Sequence, residues 1–232
     1  MKKLILMLLL ALPLAVTLPV TAEEKQIAIQ LMIDDSGLLT SPEEADVLKQ
    51  QLLSQLKSLL KRREYSMARL DVITTSLGRT RWIGDLKDLK DRERASTLVE
   101  LMPSRRDHCN SLAQSFTALG NNIRQRTAEG YTHIHVLIFS SLIDTGGPCD
   151  EEVVITLPQL PPELDIVDEL TARDSVKRVS FYWVNPHQQR IWSEKLRSMI
   201  VWGSAPDRKF EFLGEEETRF AISKGKIMGS RR

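Results

Sequence analysis

From Gln26 to Ile33 the chain is a nearly unbroken apolar, β-prone run that stops abruptly at Asp34-Asp35-Ser36-Gly37. A strand with one wet face alternates apolar and polar side chains, whereas a strand covered on both faces reads as a continuous apolar run. This run is therefore expected at the centre of an α/β sheet. A helix follows at once. In Ser41-Pro42-Glu43-Glu44 the serine stands at the N-cap, the proline at the first helical position and a glutamate three residues on. Ala45, Leu48, Leu52, Leu56 and Leu59 then recur at helical spacing, and Lys61, Arg62 and Arg63 suit the negative end of the helix dipole.

The same alternation continues along the chain. Leu70 to Leu77 reads as a second strand, with Arg79 to Ile83 as a short edge strand paired to it. Asn110 to Arg126 places Leu112, Phe116, Leu119 and Ile123 on one helical face, and Gly130 marks its end. Thr132 to Ser140 is a further buried strand, closed by a loop from Asp144 to Pro148. A proline-rich surface crossing (Leu157 to Pro162), a helix from Glu163 to Leu170, a strand from Val179 to Val184, a helix from His187 to Val201 and a last strand from Phe210 to Phe220 complete the reading. Strands alternating with helices at this spacing predict a doubly wound, mostly parallel sheet with helices on both faces. Ligands of such sheets bind at the carboxyl ends of the strands, where the Asp34 and Ser140 turns fall.

The N-terminus has the form of a secretory leader: Lys2 and Lys3, an apolar run from Leu4 to Val20, and small residues through Ala22. Pro13 and Pro19 interrupt the run, which argues against a permanent membrane span. The expectation is a signal peptide over 1–22, one domain over 23–222, a disordered basic tail over 223–232, and a periplasmic or secreted location. No other run is long enough to span a membrane. The chain carries 32 basic and 31 acidic residues. Without Lys2 and Lys3 the balance is near zero, which argues against a nucleic-acid partner. In an oxidising compartment the even pair Cys109 and Cys149 reads as a disulfide, contributing roughly 3–4 kcal/mol, with two buried free thiols as the alternative.

The order apolar strand, Asp34-x-Ser36, capped helix, and later an apolar strand ending in Ser140-Ser141 resembles a von Willebrand factor A-type domain. The resemblance spans Gln26 to Val201 and implies a doubly wound sheet with a divalent cation, magnesium or calcium, on top. It assigns the first two ligand positions to Asp34 and Ser36. Hard oxygen ligands in an incomplete shell suit a partner's carboxylate. The chain departs from the pattern: Leu38 replaces a second serine, no threonine lies between Asp107 and Leu112, where Asn110 or Ser111 would substitute, and Ser141 stands where a late aspartate is expected, with Asp144 nearby. The expectation is accordingly no cofactor, with Asp34 and Ser36 capping the following turn through side-chain hydrogen bonds. On this topology both cysteines fall near the same face, and a bridge there would make it rigid. The stretches Arg79 to Asp85 and Phe139 to Cys149 are similar to exported A-like proteins carried by conjugative elements.

Competing patterns fare worse. A receiver domain needs an aspartate ending its middle strand, but Leu70–Leu77 ends in Thr-Thr-Ser-Leu; a haloacid-dehalogenase-like phosphatase needs a second aspartate where Ser36 stands. His133 and His135 have zinc-pair spacing but lie at the wrong end of their strand. No nucleophile elbow or Cys-x-x-Cys occurs. The functional expectation is a non-enzymatic module binding another protein in an envelope or conjugation assembly. Its binding-face candidates are Asp34, Asp35, Ser36, Ser111, Ser140, Ser141 and Asp144. A hydrolytic enzyme using the same face and a metal-dependent adhesin are the alternatives.

Overall fold

The computed structural model describes residues 26–36, 42–101, 110–145, 156–160, 170, 174–200 and 210–228. The expected leader, Leu38, both cysteines and most of the expected 163–170 helix lie outside them.

Six strands form one sheet: β1 (Ile27–Ile33), β2 (Arg69–Thr74), β3 (Arg79–Asp85), β4 (His133–Phe139), β5 (Val176–Tyr182) and β6 (Phe210–Phe212). Their order is β3-β2-β1-β4-β5-β6. β1, β2, β4, β5 and β6 run parallel, and β3 is antiparallel at one edge. β1 is central and buried at all seven positions, as its unbroken apolar run requires. The chain moves outward from β1 to β2 and β3, then returns to place β4 on the other side of β1. The reversal of strand order therefore lies between β1 and β4, where doubly wound sheets open a crevice.

Odd and even residues of the strands feed two separate cores. Ile29, Leu31 and Ile33 face one layer with Leu52, Leu56 and Leu59 of α1 (Pro42–Leu59) and Leu98 of α2 (Arg92–Glu100). Ala28 and Met32 face the other with Phe116, Leu119 and Ile123 of α3 (Leu112–Ala128) and Trp192 and Leu196 of α4 (Pro186–Ile200). Gly78 closes the β2–β3 hairpin at φ +55, and a Cβ there would stand 2.4 Å from the Gln114 Cβ of α3. Both the backbone and the close approach call for glycine.

Three expectations are corrected. The strand read over Phe210–Phe220 is only three residues long, and Glu215–Ser223 is a helix, α5. Glu215, Glu216 and Glu217 are its first turn, complementing the dipole at the helix N-terminus. Residues 223–228 do not begin a disordered tail: Ile227 and Met228 are buried, and the Tyr182 hydroxyl donates to the Ile227 carbonyl. The strand expected over Val179–Val184 begins earlier, at Val176, and ends at Tyr182, before Trp183 turns to φ +65.

A buried ion pair ties β2 to α3. Arg126 donates through Nε and Nη2 to both carboxylate oxygens of Asp71, each at 2.8 Å, and Gln30 Nε2 of β1 adds a bond of 2.6 Å. Removing one partner of such a pair strands a charge in the core. Arg126→Met is expected to lower unfolding free energy by about 3–5 kcal/mol in urea titrations, and adding Asp71→Leu to recover at least half of that. A double variant no better than the single one would refute the assignment.

Candidate functional site

The carboxyl ends of β1, β2 and β4 are level. Ile33 is in register with Thr74 on one side and Phe139 on the other. Just beyond, the Asp34 N–H donates to the Phe139 carbonyl at 2.7 Å, and the Thr75 N–H to the Ile33 carbonyl at 3.0 Å. The backbone thus delivers Asp34, Thr75 and Ser140 to one point, all of them buried.

Asp34 is the centre. Its Oδ1 accepts from the Ser36 N–H at 3.0 Å, from the Ser36 hydroxyl and from the Thr75 hydroxyl at 3.4 Å. Its Oδ2 accepts from Asn110 Nδ2 at 3.0 Å and from the Ser140 hydroxyl at 3.5 Å. Asp34 caps its own turn through the Ser36 N–H as expected, the Ser36 hydroxyl goes to the carboxylate rather than to backbone, and donors from three other segments join them.

An outer ring fixes those donors. Asn110 Nδ2 also donates to the Ile143 carbonyl at 2.7 Å, and the Asn110 N–H donates to the Thr145 hydroxyl at 2.8 Å. The Thr145 N–H and hydroxyl return bonds of 3.0 and 3.1 Å to the Asn110 carbonyl. Leu142 is held at φ +60, a region a leucine rarely adopts, with its N–H on the Ser140 hydroxyl and its carbonyl accepting from Gln188 Nε2 at 2.8 Å. Gln159 brackets the loop from outside: its Oε1 accepts from the Asp144 N–H at 2.7 Å and its Nε2 donates to the Asp144 carbonyl at 2.8 Å.

The expected site residues therefore divide. Asp34, Ser36 and Ser140 converge. Asp35 turns away and accepts from the Ser76 N–H and hydroxyl at 2.8 and 2.5 Å. Ser111 contributes its N–H to the Thr75 carbonyl at 2.9 Å, and the Ser141 hydroxyl accepts from the Ile143 N–H at 3.3 Å. Asp144 Oδ1 lies 3.4 Å from the Leu112 N–H, at the start of α3. Between Asn110 and Ser111, it is Asn110 that reaches Asp34. Thr75 and Thr145 complete the site; the sequence signal for Thr75 is a hydroxyl just past a strand, and Thr145, well into the loop after β4, carries none. Cys109 and Cys149 lie outside the described residues. His133 and His135 sit at the amino end of β4, at the opposite pole.

Burial pushes the Asp34 carboxyl up from 3.8 to about 7, against the lowering effect of its Ser36 and Thr75 bonds and with a further push from the Asp35 charge. Burial holds the His135 imidazole down from 6.5 to about 4, helped by His133 and Arg178. Between pH 4 and 7 the fold keeps an Asp34 proton that the unfolded chain has released, so stability from this group falls as pH rises. His135 acts in reverse: between pH 4 and 6.5 only the unfolded chain is protonated, so stability rises with pH. The two slopes oppose each other. Denaturation midpoints measured across this range are expected to climb with pH more steeply in Asp34→Asn than in the parent, and to fall with pH in His135→Phe. Three parallel profiles would disprove the assignment.

No protein-family model matches the sequence, and no curated protein matches it. Solved structures do. The PilB minor pilin from Streptococcus sanguinis is similar at 11% identity and a TM-score of 0.54, over 89% of this chain and 61% of the pilin. The pilus adhesin SpaC from Lactobacillus rhamnosus GG, in its open conformation, is similar at 12% identity and a TM-score of 0.53, over 90% of this chain and 30% of the adhesin. The chain thus spans under two thirds of the length of either. At such identities the likeness is one of fold. With the sheet order and the Asp34 turn already described, the chain has a von Willebrand factor A-like fold.

Proposed function

We propose that this chain is an exported, non-enzymatic module that binds another protein on the face at the carboxyl ends of its strands, within an envelope assembly of the pilus or conjugation kind. The observation that carries this reading is a pair of exposed leucines on the pole that holds the closed Asp34 site. Leu77 follows the end of β2 and is 42% exposed, and Leu160 is 85% exposed. The neighbouring Gln159 is tied to Asp144 by its side chain and to Gln188 through its N–H at 2.8 Å. Leu160 is thereby held beside the loop that follows β4. Large apolar side chains presented on a fixed loop suit a protein partner.

The similar structures, a minor pilin and a pilus adhesin, agree with a surface-assembly role. Among the described residues no helix is long and apolar enough to cross a membrane. Among the described residues the hydrogen-bond partners of the Asp34 side chain are hydroxyls, an amide and a backbone N–H, all donating to the carboxylate.

Crosslinking in the native envelope, followed by identification of the crosslinked protein, tests this reading. Leu160→Asp is expected to abolish the crosslink with its melting temperature within about 2 °C of the parent, as for a surface change. Met67→Asp, at an exposed position just before β2 and so at the amino pole, is expected to preserve it. Equal capture by both variants would reject the carboxyl-end face.

A further inference from the structure

The A-like fold implies a divalent cation beside Asp34, and the residues present do not fit one. The Ser36, Thr75 and Ser140 hydroxyls donate to the carboxylate and keep their lone pairs, so the fit is decided by the other groups around Asp34. Neither neighbouring carboxylate is turned toward Asp34. Asp35 is engaged by Ser76, and Asp144 faces the start of α3. The gap between the end of β1 and the loop after β4 is taken by the Asn110 amide, whose nitrogen lies 3.0 Å from Asp34 Oδ2 and 2.7 Å from the Ile143 carbonyl. Both neighbours are acceptors, so reversing the amide would set oxygen against oxygen twice. The Asn110 Oδ1 is buried without a hydrogen-bond partner in the described structure. The two donated bonds therefore decide the orientation, at the expense of one unsatisfied oxygen.

We propose that the Asn110 carboxamide is a built-in replacement for the cation: a neutral double donor that bridges Asp34 to the loop after β4 and keeps divalent ions out. The lock is a property of the folded chain, whatever partner the face takes. Asn110 is on this view a positioning residue, and replacing its donors by acceptors opens the position to a metal.

The test follows melting temperature during titration with manganese or magnesium chloride, using the full exported protein. The parent is expected to show no saturable shift. Asn110→Asp sets a second carboxylate against Asp34, so it is expected to melt lower in chelator. Metal at a hundredfold excess over Kd should then raise its melting temperature by roughly 5–10 °C. Asn110→Thr, which introduces a hydroxyl without a second charge, is expected to gain a smaller saturable rise and carries the test should Asn110→Asp fail to fold. Combining either variant with Asp34→Ala is expected to remove the response. A saturable rise in the parent that Asp34→Ala abolishes would overturn the proposal. Folded Asn110→Asp or Asn110→Thr proteins as indifferent to metal as the parent would overturn it equally.

Discussion

A carboxylate with no exposure to solvent sits at the tip of the central strand, and the upper half of the molecule is arranged to make that tolerable. An isolated buried charge costs far more than a domain's whole stability, so the group must be surrounded by donors or hold its proton. Asp34 does both. Its donors come from its own turn, from the residue after β2, from Asn110 two residues before α3 and from the residue after β4. Each donor is a separate chain segment, and each is aimed because the carboxylate needs it. Loops that in other doubly wound folds are free to vary are here committed to a single acceptor.

The molecule buries a second aspartate by a different solution. Asp71, on the neighbouring strand, is matched by a bidentate guanidinium and an amide, so full charge meets full charge. Among the described residues Asp34 meets neutral donors, and its proton affinity rises into the neutral range. The contrast follows from position. β2 lies under α3, whose Arg126 reaches down onto the sheet, while the carboxyl ends of the strands face loops built from serine, threonine and asparagine. The ion pair stabilises the sheet against the helix. The neutral ring fixes loops to one another.

Much of this architecture was legible in the residues. β1 declares itself because burial on both faces leaves an almost unbroken apolar run, and β2 and β4 follow from their β-branched residues between turn signals; the helix expected after Pro42 is present as α1. α2 was missed. Its apolar face has only Ala95 and Leu98 fully buried, too few to give a helical period, and its start rests on one aspartate cap, Asp91, accepting from Arg94. The C-terminal helix was misread as a strand because Phe210, Phe212 and Phe220 suggest β structure, while the three glutamates that start the helix look like a solvated turn. The site was half legible. Asp34, Ser36 and Ser140 stand at strand ends and could be named, but which of Asn110 and Ser111 reaches Asp34 depends on how α3 approaches the sheet, and no periodicity in the chain encodes that angle.

The choice of asparagine at position 110 also bears on what kind of surface this pole can be. A cation with an open coordination position recognises a carboxylate from outside, and such a site is specific because it is ionic. Once the position is filled from within by an amide whose two protons are both committed, no strong ligand bond remains to offer. A partner docking on the proposed face would then be recognised by shape and apolar area. Among the described residues, the large apolar side chains exposed on this end, Leu77 on the β2–β3 turn and Leu160 beside Gln159, are of the corresponding kind. A rigid floor favours that mode, because apolar docking gains most when the loops presenting the contacts have already lost their freedom. The bonds that close the Asp34 site are therefore the same bonds that prepare the face above it.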